Sequence, residues 1–120
     1  MKKITTLCCF IISISTGRTQ TEKIQGLFQI YDKKDPVQKI YMTIIPIDDQ
    51  NFIIKGYGWS GEGMFDGEKG YYDWQLNDSY FGHTDFRLLK DGRIKGRVEN
   101  APSEKQPNPL EWVYLGKKCN

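Results

Sequence analysis

From about residue 24 onward, apolar and polar positions alternate with a period of two, and turn-forming residues recur at short intervals. Helical periodicity of 3.6 is hard to find in this region. The pattern predicts about eight strands, at residues 24–31, 37–45, 52–57, 62–66, 71–76, 81–90, 93–99 and 110–115. Leu110, Trp112 and Tyr114 on one side and Val113 and Leu115 on the other make the last strand apolar enough to be covered on both faces.

The breaks between strands have their own chemistry. Residues 32–36 and 48–51 are rich in turn formers, 67–70 supply flexible φ angles, and Asp91-Gly92 is the dipeptide favoured in two-residue type I′ hairpins. The segment 100–109 holds Pro102, Pro107 and Pro109 with little apolar content, which predicts a long surface loop rather than a domain boundary.

Short strands joined by short turns leave edges that must be paired. Closure into a barrel or stacking of two sheets achieves this, and the expected fold is an all-β antiparallel meander forming a closed or nearly closed up-and-down barrel. The early Gly26-x-Phe28 strand, the meander of hairpins and the aromatic last strand are similar in outline to the calycin group, the lipocalin-like and avidin-like barrels. This resemblance is one of architecture, and no binding residue is carried over from it.

The first 17 residues read differently. Lys2 and Lys3 precede an apolar run from Ile4 to Ile14, and small residues follow at Ser15, Thr16 and Gly17, the order of a secretory signal peptide. The run is shorter than the roughly 20 residues a spanning helix needs, and Thr5, Thr6 and Ser13 interrupt it. The expected organisation is therefore a leader at 1–17, forming a helix, and a single barrel domain at 18–120 that is exported to the periplasm or the extracellular space.

Removing the leader changes the charge. Lys2 and Lys3 leave with it, so 17 Lys+Arg become 15 against 15 Asp+Glu and the mature chain is formally neutral. A field-driven nucleic-acid or membrane-surface role loses its main support. Cys8 and Cys9 also belong to the leader, which leaves Cys119 without an internal disulfide partner, so the core alone must hold the domain. One histidine, one mature cysteine and no Asp-x-Asp-x-Asp-Gly loop provide neither a zinc set nor an EF-hand, and no cofactor is expected.

Gly56-x-Gly58-x-x-Gly61 has the spacing of a dinucleotide-binding turn. That turn works only where a helix follows and its N-terminal amides hold pyrophosphate, whereas Glu62-Gly63-Met64-Phe65 has no helical face. The glycines are instead expected to relieve a bulged or sharply bent strand pair where a Cβ would collide. Among the nearby aromatics, Tyr72, Trp74 and Leu76 share a face that would be buried. Trp59 sits among glycines beside Ser60 and Glu62, placed either to plug a barrel end or to stack on a ligand at its mouth.

The first functional expectation is a non-catalytic binding barrel for a small apolar or amphipathic molecule, or a glycan, held by Trp59, Glu62, Tyr57, Tyr72 and Trp74. The second is a protein-interaction or inhibitor module acting through loops at 56–63 and 100–109. The third is a hydrolase. Glu62, Asp73, His83 and Asp85 supply ingredients of acid and base catalysis, but no nucleophile accompanies them, and a solvated sheet face with cross-strand ion pairs explains them more simply. Arg93, Lys95 and Arg97 form a basic row that reads as the wet face of a strand or a guard against edge pairing.

Overall fold

A computed structural model describes residues 19–101 and 111–119. The expected leader and most of the expected 100–109 loop lie outside the described residues. A 3-10 turn at Thr21–Ile24 is followed by strands β1 Gly26–Asp32, β2 Asp35–Pro46, β3 Asn51–Gly56, β4 Trp59–Phe65, β5 Lys69–Asn77, β6 Tyr80–Leu88, β7 Ile94–Asn100 and β8 Glu111–Lys118. Each strand pairs antiparallel with the next, and β8 pairs with β1 from Phe28↔Lys118 to Asp32↔Tyr114, so the sheet closes into an eight-stranded barrel. Closure removes the sheet edges that an open meander would expose.

Asx residues start five of the hairpin turns. Side-chain oxygens of Asp32, Asp48, Asp66, Asn77 and Asp91 accept from the backbone N–H groups of Lys34, Gln50, Glu68, Ser79 and Arg93, respectively, at 2.8 to 3.0 Å. Each carboxylate or amide thus substitutes for backbone partners that the turn cannot supply. These backbone bonds also hold the Asp48, Asp66 and Asp91 carboxyls below the usual carboxylate range.

The Asp91-Gly92 hairpin differs in detail from the expected two-residue turn. The Gly92 N–H donates to the Leu89 carbonyl at 3.0 Å and the Leu89 N–H donates to the Arg93 carbonyl at 2.7 Å, which encloses a three-residue loop. Gly92 has φ +90°. A Cβ there would meet no atom within 4 Å, so a substitution suffers backbone strain alone. Gly92→Val is expected to cost about 1–2 kcal/mol, read as a lower urea midpoint, and an unchanged midpoint would contradict the left-handed geometry.

Strand alternation puts Phe28, Ile30, Met42, Ile44, Phe52, Ile54, Phe65, Tyr72, Phe86, Ile94, Val98 and Tyr114 inside. The same faces carry Gly56, Gly61, Gly63, Gly70, Gly82, Gly96 and Gly116, and the register sets bulky residues across from them. Gly63 pairs with Tyr72, Gly61 and Gly82 with Trp74, Gly70 with Phe86, and Gly96 with Tyr114. A Cβ at Gly70 would come within 2.9 Å of Phe86 Cζ, and one at Gly96 within 2.6 Å of the Tyr114 hydroxyl. Small residues thus make room for large ones in a narrow barrel. The ladder from β3 to β4 runs without a register shift, so the glycines prevent collisions, as the sequence suggests, but relieve no bulge.

The two ends of the barrel are built differently. At the end carrying the β2–β3 and β4–β5 turns, the 3-10 turn lies across the opening. The Thr21 N–H donates to the Asp49 carbonyl at 3.2 Å, the Gln20 N–H donates to Asp49 Oδ1 at 2.9 Å, and the Thr21 hydroxyl donates to the Asp48 carbonyl. Thr21 and Ile24 are fully buried by this arrangement. Above them the interior is filled by aromatic rings: Phe86 lies 5.9, 5.7 and 5.8 Å from Phe52, Phe65 and Tyr72. Such pairs contribute about 0.5–1.5 kcal/mol each beyond their buried area.

Candidate functional site: an aromatic cavity in the barrel

The opposite end carries the two-residue turn Tyr57-Gly58 between β3 and β4. Pairing of Gly56 with Trp59 makes Trp59 the first residue of β4, not part of a loop. Its half-buried indole lies over Gly56, where a Cβ would stand 2.5 Å from Trp59 Cζ2, and it stacks on Tyr72 at 6.4 Å and 16°. Trp74 does the same one hairpin along, its ring within 2.5 Å of where a Gly82 Cβ would be. Both indoles lie over glycines of the wall. At the other end Phe52, Phe65 and Phe86 pack ring against ring, whereas a hollow remains at this end.

The resulting cavity has a volume of about 150 Å³. Its aromatic wall comprises Trp59, Tyr72, Trp74, Tyr80, Trp112 and Tyr114, with Ile30, Ile40, Leu76 and Val98 between them and only Thr84 and Asn100 as other polar residues. Among the described residues, none of the lining is charged. Ile40, Leu76 and Tyr80 are 45, 46 and 41 % exposed, so the cavity reaches the surface past an apolar rim.

The polar groups inside are few and incompletely paired. The Tyr72 and Tyr114 hydroxyls share a hydrogen bond of 3.0 Å, and the Asn100 amide donates to the Tyr80 hydroxyl at 2.7 Å. Burial pushes the Tyr72 phenol up to about 12, against the opposing effect of the Tyr114 and Thr84 hydroxyls beside it, and burial holds Tyr114 well above its ordinary value. Both phenols are therefore neutral at physiological pH. Thr84 Oγ1 lies beside the Tyr72 hydroxyl, and among the described residues neither it nor Trp74 Nε1, both buried, has a hydrogen-bond partner. An unpaired buried polar group costs about 1–3 kcal/mol, so two in one cavity call for a physical explanation.

Of the residues singled out from the sequence, the structure brings Trp59, Tyr72 and Trp74 together around the cavity. Glu62 is elsewhere: it points outward, exposed, paired with Ile53 and Asp73. Tyr57 is 99 % exposed at its turn and touches no part of the lining. The expected interaction loop at 56–63 is paired strand except at Tyr57-Gly58. Sequence reasoning placed none of the other lining residues at the site, Tyr80, Thr84, Val98 and Asn100 among them. The signal for these four was their inward phase on β6 and β7, readable only with the register of both hairpins.

The outer face shows what the polar row does. Cross-strand pairing aligns Glu62, Asp73, His83 and Glu99. His83 Nδ1 lies 2.7 Å from Asp73 and Nε2 3.2 Å from Asp85, and the ring stacks on Tyr71 at 5.6 Å. Both imidazole nitrogens are thus engaged by carboxylates, on the face away from the cavity. The basic row is partly neutralised: Arg93 pairs with Asp91 at 2.8 Å and Arg97 with Glu111 at 2.7 Å.

The hydrogen bond that His83 donates to Asp73, with a smaller contribution from Asp85, raises the His83 pKa despite partial burial. The native state therefore holds this proton more tightly than the unfolded chain, whose histidine titrates near 6.5. The stabilisation is complete below about pH 6.5 and is lost as pH rises through the elevated native value. Solvent screening keeps it small, since the side chains of His83, Asp73 and Asp85 are 42, 74 and 64 % exposed. An NMR titration should place His83 above its ordinary value and Asp73→Asn should bring it down; a native value at or below the ordinary one would contradict the pairing.

Comparison with family models, curated proteins and solved structures finds no match to this chain. Among the described residues, no group of three or more His, Cys, Asp or Glu side chains could hold a metal ion, and no helix is long and apolar enough to cross a membrane.

Proposed function

We propose that the protein is an exported, non-catalytic barrel that binds a small apolar or amphipathic molecule in the cavity walled by Trp59, Trp74 and Trp112. The observation that carries this reading is an aromatic hollow, free of charge among the described residues, at one end of a barrel whose other end is occupied by a cluster of buried aromatic rings. Pockets of this kind, mostly apolar with a few polar groups, are where small ligands bind. The same lining weighs against a glycan, because a buried sugar needs polar partners for most of its hydroxyls. Export rests on the order of charged, apolar and small residues at 1–17. A second reading, docking of a protein on the rim, draws on the exposure of Ile40, Leu76 and Tyr80 there.

Filling the hollow tests the first reading. Val98 is 5 % exposed and lines the cavity between Thr84 and Trp112, its cross-strand neighbours. Val98→Phe is expected to place a ring in the empty space with a thermal midpoint unchanged or raised. It should lower by at least tenfold the amount of small molecule that native mass spectrometry finds on protein purified from its own source. Absence of any retained molecule on the parent protein, with a partner protein retained instead, would favour rim docking.

A further inference from the structure

Building on that reading of the site, we propose that the cavity selects an uncharged molecule of about one ring that carries a hydrogen-bond acceptor, received by the Trp74 indole N–H, with the Thr84 hydroxyl also in the lining. Three features of the lining lead here. The first is size: at about 150 Å³, the hollow matches cavities that admit benzene, and it is below the range that encloses drug-sized ligands.

The second is charge. With no Lys, Arg, Asp or Glu in the lining among the described residues, an ionised ligand would be desolvated without a counter-ion. A carboxylate is thereby disfavoured. A quaternary ammonium could use the aromatic faces, but it has nothing to offer a buried donor.

The third is the count of donors and acceptors. An indole nitrogen can only donate, so unpartnered Trp74 Nε1 requires an acceptor. In the Tyr72–Tyr114 pair, one hydroxyl proton is used between the two rings and the other is left over. Thr84 adds a hydroxyl that can donate or accept. Of the two unpartnered groups, Trp74 Nε1 can only donate, and a carbonyl, ether or phenolic oxygen complements it. In the ligand-free barrel a water can serve the same groups. A hydrocarbon that displaced such a water would leave them unpaired, whereas an acceptor-bearing ring would replace the water's oxygen.

The test is calorimetric titration of the purified full chain with ethylbenzene, acetophenone, benzoate and phenyltrimethylammonium, repeated on Trp74→Phe and Thr84→Val. Water already satisfies the ketone in solution, so the informative quantity is how each affinity changes on substitution. Trp74→Phe should weaken acetophenone about tenfold while changing ethylbenzene less than about threefold, the size expected for one lost hydrogen bond. Thr84→Val is nearly isosteric and removes an unpaired hydroxyl, so it should fold with an equal or higher thermal midpoint. It provides the same comparison should Trp74→Phe fail to fold. Equal losses for acetophenone and ethylbenzene in both variants, or tighter binding of either ion than of acetophenone, would overturn the proposed selectivity while leaving a binding cavity in place. Failure of all four probes to bind would remove the cavity reading and this selectivity together.

Discussion

Gly63→Val is expected to destabilise the barrel by about 3 kcal/mol or more. Gly63 is buried on β4, and a Cβ there would come within 2.7 Å of Tyr72 Cβ and 2.8 Å of Phe52 Cζ, with the Tyr71 carbonyl oxygen closer still. A flexible side-chain tip could move aside, but the Tyr71 carbonyl belongs to the β4–β5 ladder and cannot shift without breaking it. Overpacking commonly costs about 1–3 kcal/mol, and the backbone contact places this site at or beyond the upper end. A domain of this size has only about 5–15 kcal/mol in total. Gly58 is the control: a Cβ there meets nothing within 4 Å and φ is +81°, a conformation that asparagine tolerates. Gly58→Asn should therefore stay within about 1 kcal/mol of the parent, and urea unfolding followed by circular dichroism separates the two. A Gly63→Val protein as stable as the parent would show that the register drawn for β4 and β5 is wrong.

Phe86→Ala should cost about 3–5 kcal/mol, the range for truncating a buried ring whose neighbours cannot close the gap. Phe86 is 4 % exposed, with Phe52, Phe65 and Tyr72 all within 6 Å between ring centres. Trp59→Ala removes a larger side chain but should cost less, because Trp59 is half-buried and faces a hollow on one side. Its loss would appear in binding instead: the stack on Tyr72 and one wall of the cavity disappear together. The expected result is a large fall in stability for Phe86→Ala with little direct meaning for ligand uptake, and the reverse balance for Trp59→Ala. Equal stability losses would mean that Trp59 acts as packing.

The chain's local chemistry determined its strands. Period-two alternation located all eight to within a few residues, and turn formers marked the breaks at 32–36, 48–51, 67–70 and 91–92, because both signals depend on neighbours within a few positions of each other. Helix was excluded for the same reason. The choice between a closed barrel and two stacked sheets was not written in any one segment, since it depends on β8 finding β1 across the whole described domain. The glycines show the difference most clearly. In sequence Gly56, Gly61 and Gly63 form a loop-like cluster around Trp59; in three dimensions each lies across a ladder from Trp59, Trp74 or Tyr72, and the missing Cβ is the space an aromatic ring occupies. Glu62 and Trp59 are close in the chain but on opposite faces, an odd number of residues apart, so alternation sends one into solvent and the other to the cavity. The unpaired Trp74 and Thr84 atoms are further removed from any local signal. Whether a buried donor has a partner is decided by cross-strand register and by which rings lie over glycines of the wall, and only the tertiary structure sets those.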